Sequence, residues 1–334
     1  MRRRHLMTRR HLMTLLGGSM LWPFAARAQE QVLPVIGFLS SASYVAPNRE
    51  LTPRGFRTGL SEAGYFVGRN VTIEPFLADG RYERLPALAE EMVRRQVNLI
   101  VAAGGIVSAQ AAKRATKEIP ILFIAGFDPV KVGLVSRFNK PGGNATGVAI
   151  YTTELLRKRF EFLRELVRPL DRVALLVNPL SPAANIEIDD MEGFARTSGF
   201  RLLTLRAKDE EEVEMAFTSA VRDQADALLI SADPFFSTRR SQVVALAARH
   251  RLPVSYPWRE YPEIGGLMSY GPDLTNAYRQ LGLYAGRILK GENPAEMPVH
   301  VPNTFELVIN ETTAAVLGIK ISSLLRVAAI RIIK

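Results

Sequence analysis

The sequence predicts an α/β protein of two parallel-sheet lobes joined by a hinge of three crossovers, and three observations carry that reading. The length of 334 residues is about twice that of an ordinary domain. From Val32 onward, short apolar runs alternate with amphipathic stretches, the pattern of βαβ units whose strands are buried on both faces. The runs also fall into two sets, with a turn-rich segment between them.

The first set is Val35 to Leu39, Val71 to Phe76, Asn98 to Ala102 and Ile121 to Ala125. The second is Val173 to Val177, Arg201 to Leu205, Ala227 to Ile230 and Pro253 to Tyr256. Between strands the spacing turns helical: Leu85, Leu88, Ala89, Met92 and Val93 share one face, as do Val213, Ala216, Phe217, Ala220 and Val221. A helix opening at Thr52-Pro53 has a capping residue followed by proline, and Gly64 suits its end. Leu274, Ala277, Tyr278, Leu281, Ala285 and Ile288 form another amphipathic face.

Three segments suit crossovers. Asn139 to Asn144 is a turn cluster leading into the short run Thr146 to Ile150, Gly265 to Pro272 is the second, and Pro298 to Phe305 the third. This divides the chain into a first lobe of 29–147 plus 272–297 and a second of 148–271 plus 298–320. A tail, 321–334, follows.

Composition narrows the function. A hydrophobic fraction of 47% with 23% charged residues is globular, which excludes disordered and collagen-like classes. The formal charge of +10 comes largely from six arginines in residues 1–28; the remainder has 37 basic against 33 acidic residues, so a phosphate-tracking surface has little support and no nucleic-acid partner is expected. Cysteine is absent, which removes disulfides, thiolate metal sites and cysteine nucleophiles.

Residues 1–28 read as a secretory signal, with an arginine-rich start, an apolar stretch from Leu12 to Ala26 and the small-x-small site Ala26-Arg27-Ala28. The alternative, a membrane anchor, is disfavoured because the stretch falls short of about 20 apolar residues and contains Pro23. Arg9-Arg10 also suits a twin-arginine signal. Export places the mature chain in the periplasm.

In open parallel sheets, ligands bind beyond the carboxyl ends of the strands. The residues there are small and polar. Ser40 and Ser41 follow the first run, Gly104 and Gly105 the third, and Asp128 the fourth, while Asn178 and Asp233 follow runs in the second lobe. Gly104 and Gly105 permit close backbone approach, and the helix start near Ser108 offers N–H groups to a carboxylate. Asp128 or Asp233 can pair with an ammonium; Phe235, Tyr256 and Tyr270 can supply flat apolar surface. Asp128-Pro129 and Asp233-Pro234 are also good helix-start or Asx-turn sequences, so capping is the competing role for each.

Catalysis lacks parts. Of four histidines, His5 and His11 belong to the signal, which leaves His250 and His300. No catalytic residues, metal site or cofactor are therefore expected.

Several motifs then carry a resemblance. Gly126-Phe127-Asp128-Pro129-Val130, Val132-Gly133-Leu134-Val135, Pro141 to Gly147 and Gly265 to Gly271 resemble those of ABC-transporter substrate-binding proteins of the tryptophan/tyrosine-binding-like type, over about Val32 to Leu317. The resemblance implies a type I periplasmic-binding-protein fold with two Rossmann-like lobes, an amino-acid ligand, aromatic in some relatives, and delivery to a membrane ABC permease. The tail, from Ile321, departs from the family pattern. A ligand-sensing partner of a membrane receptor and an exported enzyme on the same scaffold are the competing readings. A DNA-binding regulator is disfavoured by export and by the lack of an N-terminal helix-turn-helix segment.

Overall fold

A computed structural model of the chain describes residues 33–42, 52–152 and 154–334. The signal reading of residues 1–28 lies outside the described residues.

The first sheet contains β1 (Val35–Ser40), β2 (Thr72–Leu77), β3 (Leu99–Ala103), β4 (Ile121–Ala125) and β5 (Ala145–Ala149), all parallel, in the order β2-β1-β3-β4-β5. Its helices are α1 (Arg54–Glu62), α2 (Leu85–Arg94) and α3 (Ile106–Ala115). Strand alternation sends Ile36 and Phe38 into one apolar cluster with Phe56 and Leu60 of α1, and Leu39 into another with Leu85 and Met92 of α2. Both faces are therefore dry, which explains runs without polar alternation.

The second sheet contains β6 (Arg172–Val177), β7 (Arg201–Arg206), β8 (Ala227–Ile230), β9 (Val254–Tyr256), β10 (Met268–Pro272), β11 (Phe305–Asn310) and β12 (Arg331–Ile333), in the order β12-β11-β10-β9-β8-β6-β7. Around it lie α4 (Leu155–Leu166), α5 (Ala183–Ser198), α6 (Glu210–Arg222), α7 (Pro234–Thr238) and α8 (Arg240–Arg249). Phe160 of α4 stacks on Phe200 at 4.2 Å on one face, while Phe217 of α6 packs with Leu228 and Ile230 on the other. The long helix α9 (Leu274–Leu289) follows the second sheet's β10 in sequence but packs on β4 and β5 of the first, against α1. The chain ends in α10 (Glu311–Val316), α11 (Ser323–Ala328) and β12.

Three details differ from the sequence reading. The run Thr146 to Ile150, expected inside the first crossover, largely forms β5, so the first sheet extends past residue 147 to Ala149. Backbone hydrogen bonds at both ends of β4 hold it there, Ile121 N donating to Asn144 O at 2.7 Å and Ile150 N to Ala125 O at 2.8 Å. Second, β11 is antiparallel to β10, because the chain turns back beside it after crossing at 298–304. Third, the tail is part of the sheet: Ser322 caps α11 and β12 pairs with β11 in parallel.

Candidate functional site

A cavity of about 640 Å³ opens where the strand tips of the two sheets face each other. From the first sheet it is lined by Gly104, Gly105, Gly126 and Thr152 at the ends of β3, β4 and β5, and by the starts of α1 and α9 through Arg54, Thr275 and Tyr278. The second sheet contributes Ala232 and Pro234 after β8, Ser237 to Ser241, and Trp258, Glu260 and Tyr261 after β9. The walls are thus aromatic and apolar with polar groups at the tips.

The glycines after β3 are dictated by backbone geometry. Gly104 has φ +84° and Gly105 φ +88°, and a Cβ on Gly104 would lie 2.6 Å from Ser41 Oγ. Ser41 Oγ donates to Gly104 O, and Ser40 Oγ accepts from Ala42 N at 3.1 Å, so the two buried serines brace this turn and do not line the cavity. Ser108 sits buried one turn into α3, and its Oγ has no hydrogen-bond partner among the described residues.

Asn178 and Asp233 meet directly. Asp233 Oδ1 accepts from Asn178 Nδ2 at 3.1 Å, from Phe235 N at 3.0 Å as the cap of α7, and from Tyr82 OH at 2.6 Å. Tyr82 lies between β2 and α2, so this last bond joins the two halves. Burial first, then the adjacent Asp233 charge, pushes the Tyr82 hydroxyl pKa up, and burial raises Asp233 as well. Asp233 is buried and Tyr82 half-buried, and each serves the other as a hydrogen-bonding partner.

Phe235 and Tyr256 form a layer behind the lining. The Arg239 guanidinium lies 4.1 Å above the Phe235 ring, and Tyr256 stacks on Tyr261 at 4.6 Å, with Tyr261 facing the cavity. Asp128 and Tyr270 are engaged elsewhere. Asp128 accepts from Val130 N at 2.8 Å and Lys131 N at 3.2 Å, an Asx turn after β4. Tyr270 shares the face of β10 that holds Met268, and its ring packs 4.9 Å from Phe162 of α4. Strand alternation alone directs it away.

Sequence reasoning missed Thr152, Arg239, Tyr261 and Tyr278. The strand-tip rule finds Thr152 once β5 is counted as a strand. Its companions come from helix starts and loops that meet only through the packing of the two halves.

Below the main cavity is a side pocket of about 40 Å³ whose walls include Gly104, Gly105 and Thr152 together with Ser181, Glu187, Ser231 and Asp233. Among the described residues no cluster of His, Asp or Glu is arranged to hold a metal ion, and no helix is long and apolar enough to cross a membrane.

Comparison with known proteins places this geometry. A tyrosine-binding protein of Clostridioides difficile is 28% identical over 278 residues, covering 82% of this chain and 78% of that protein. The crystal structure of an ABC domain in complex with L-Trp from Streptococcus pneumonia, 25% identical, superposes with a TM-score of 0.79 over 90% of this chain and 100% of that one. A ligand-free, open substrate binding protein with adhesive properties from Clostridium difficile gives 0.62 at 26% identity, over 90% and 99%. These neighbours are solute-binding proteins rather than enzymes, and the fold is of the type I periplasmic binding kind. With residues 41–333 matching the family as a whole, the chain belongs to the ABC transporter substrate binding proteins.

Proposed function

We propose that the chain is exported by its first 28 residues, captures one amino acid with an aromatic side chain between its lobes, and presents it to a membrane permease. The observation that carries the reading is the cavity of about 640 Å³, within the range of small-molecule sites, with flat faces from Trp258, Tyr261 and Tyr278. The tips of β3 and α3 supply backbone N–H groups suited to a carboxylate; Ser40 and Ser41 brace the turn, and the unpartnered Ser108 hydroxyl lies in the first turn of α3. Asn178 and Asp233 order the opposite wall, with Phe235 and Tyr256 behind it. Relatives named for tyrosine or holding L-Trp support the aromatic class. A higher TM-score to the L-Trp complex than to the open, ligand-free protein, at nearly equal identity, supports closed lobes.

Closure about the three crossovers turns ligand contacts into a population shift, since only the closed state lets one molecule touch both lobes. Tyr82 and Asp233 contribute directly to that state. Tyr82→Phe is expected to weaken tyrosine binding about tenfold through loss of a hydrogen bond to a buried carboxylate. Calorimetry checks it, and an unfolding midpoint within a few degrees of the parent confirms that the loss is one of binding.

The reading is tested with Trp258, the second of the two tryptophans and the one beyond the signal. Its ring lines the cavity and donates Nε1–H to Ser237 Oγ at 3.2 Å. Titrating L-tyrosine or L-phenylalanine into the mature protein is expected to change its emission saturably, with one site by calorimetry. An absence of heat and of emission change across the amino acids would refute the proposal.

A further inference from the structure

We infer that Glu187 is the partner of the ligand's ammonium group, and that the side pocket is the head-group subsite of the main cavity. The inference rests on the amino-acid reading and assigns it a residue.

Glu187 lies on α5, on the face that carries Ala184, Ile188 and Met191 into the core, and is 2% exposed. A carboxylate on that face costs several kcal/mol unless something compensates it. Ser231 Oγ donates to its Oε2 at 2.5 Å; among the described residues its Oε1 receives no hydrogen bond. The residue faces the side pocket, whose walls share Gly104, Gly105, Gly126, Thr152, Ala232 and Pro234 with the main cavity. A volume of about 40 Å³ accepts an ammonium-sized group and excludes an aromatic ring.

The charges around the pocket do not balance. Arg159 of α4, 1% exposed, stands behind it with Nη1 donating to Ile230 O at 2.7 Å, and its Nη2 has no partner. Among the described residues, Glu187 and Asp233, both buried, stand against this one buried cation. One more positive charge makes the cluster neutral. Asp233 already accepts three hydrogen bonds at Oδ1 as cap and interlobe link, which leaves Glu187 as the carboxylate in need of a donor. An ammonium there directs the ligand's ring into the main cavity, toward Trp258 and Tyr261.

Burial, more than the opposing pull of Ser231 and Arg159, raises the Glu187 pKa to about 7. The ionisable groups facing it are Arg159 from α4, Asp233 from the start of α7 and, through Asp233, Tyr82 of the other lobe. Because an ammonium requires the ionised carboxylate, binding strength is present above about pH 7 and is lost as Glu187 takes up a proton below it. Asp233, also raised, acts in the same direction.

The test is calorimetry with L-tyrosine and with 3-(4-hydroxyphenyl)propionate, the same molecule without its amino group. The wild-type mature chain is expected to bind tyrosine about 100-fold more tightly than the analogue, and Glu187→Gln to lose at least about 30-fold for tyrosine and under about threefold for the analogue. From pH 8 to 5.5 tyrosine affinity should fall about tenfold or more in the wild type and much less in the variant. Equal affinities of the wild type for the two compounds overturn the assignment without any variant, whatever the fate of Glu187→Gln. Tyrosine binding that Glu187→Gln leaves unchanged overturns it while the amino-acid reading stands; failure to bind any amino acid overturns both.

Discussion

Gly282→Val is expected to destabilise the folded chain by about 3 kcal/mol or more, because it places a branched side chain where two helices touch through their backbones. A Cβ on Gly282 would lie 2.1 Å from Phe56 O, on Gly59 1.9 Å from Arg279 O, and on Gly55 2.2 Å from Thr275 O. These neighbours are carbonyl oxygens, so no rotamer change relieves the overlap and α9 must move away from α1. Both helices send residues to the cavity, Arg54 and Gly55 from one and Leu274, Thr275 and Tyr278 from the other. Ligand affinity should therefore fall with stability. Urea unfolding measures the first effect, and a loss below about 1 kcal/mol would mean that the two helices have room to separate.

Arg159→Met is expected to cost about 3 kcal/mol at pH 8, since it strips a fully buried cluster of its cation and leaves Ile230 O without its donor. The sign of its pH dependence follows from Glu187. Raised to about 7 in the folded chain, that carboxyl is neutral at pH 5.5 and charged at pH 8, so the arginine compensates little in acid and much in mild alkali. The penalty should accordingly be smaller at pH 5.5. Adding Glu187→Gln should recover part of the loss at pH 8, a coupling of at least about 1 kcal/mol in a double-mutant cycle. Strict additivity would show that the two side chains do not sense each other.

The strands most legible in the sequence are those buried on both faces. Val35 to Leu39 and Val173 to Val177 are apolar because helices cover each side, and β1 and β6 follow them closely. Edge strands give weaker signals. In β5, Thr146 and Gly147 interrupt the run; Gly147 has room only for hydrogen, since a Cβ would lie 2.0 Å from Phe123 O. In β12 three residues suffice because β11 supplies the template.

At the site, the strand-tip rule reached Gly104, Gly105 and Asp233 because their positions follow from local backbone geometry. It did not reach Tyr82, Tyr261 or Tyr278, whose place depends on how the lobes meet. Glu187 did leave a trace: a glutamate among Ala184, Ile188 and Met191 breaks the apolar face of α5, whereas Asp189 beside it is exposed as expected of a solvated residue.

The pairing of α1 with α9 also bears on the order in which the molecule assembles. Gly59 and Gly282 meet although roughly 220 positions separate them, and most of the second sheet lies in between. A chain emerging from the ribosome cannot finish its first lobe until most of the second has been synthesised, so the lobes do not mature one after the other. Such distant partners place the protein among slow folders, with a long interval in which apolar surface awaits its cover.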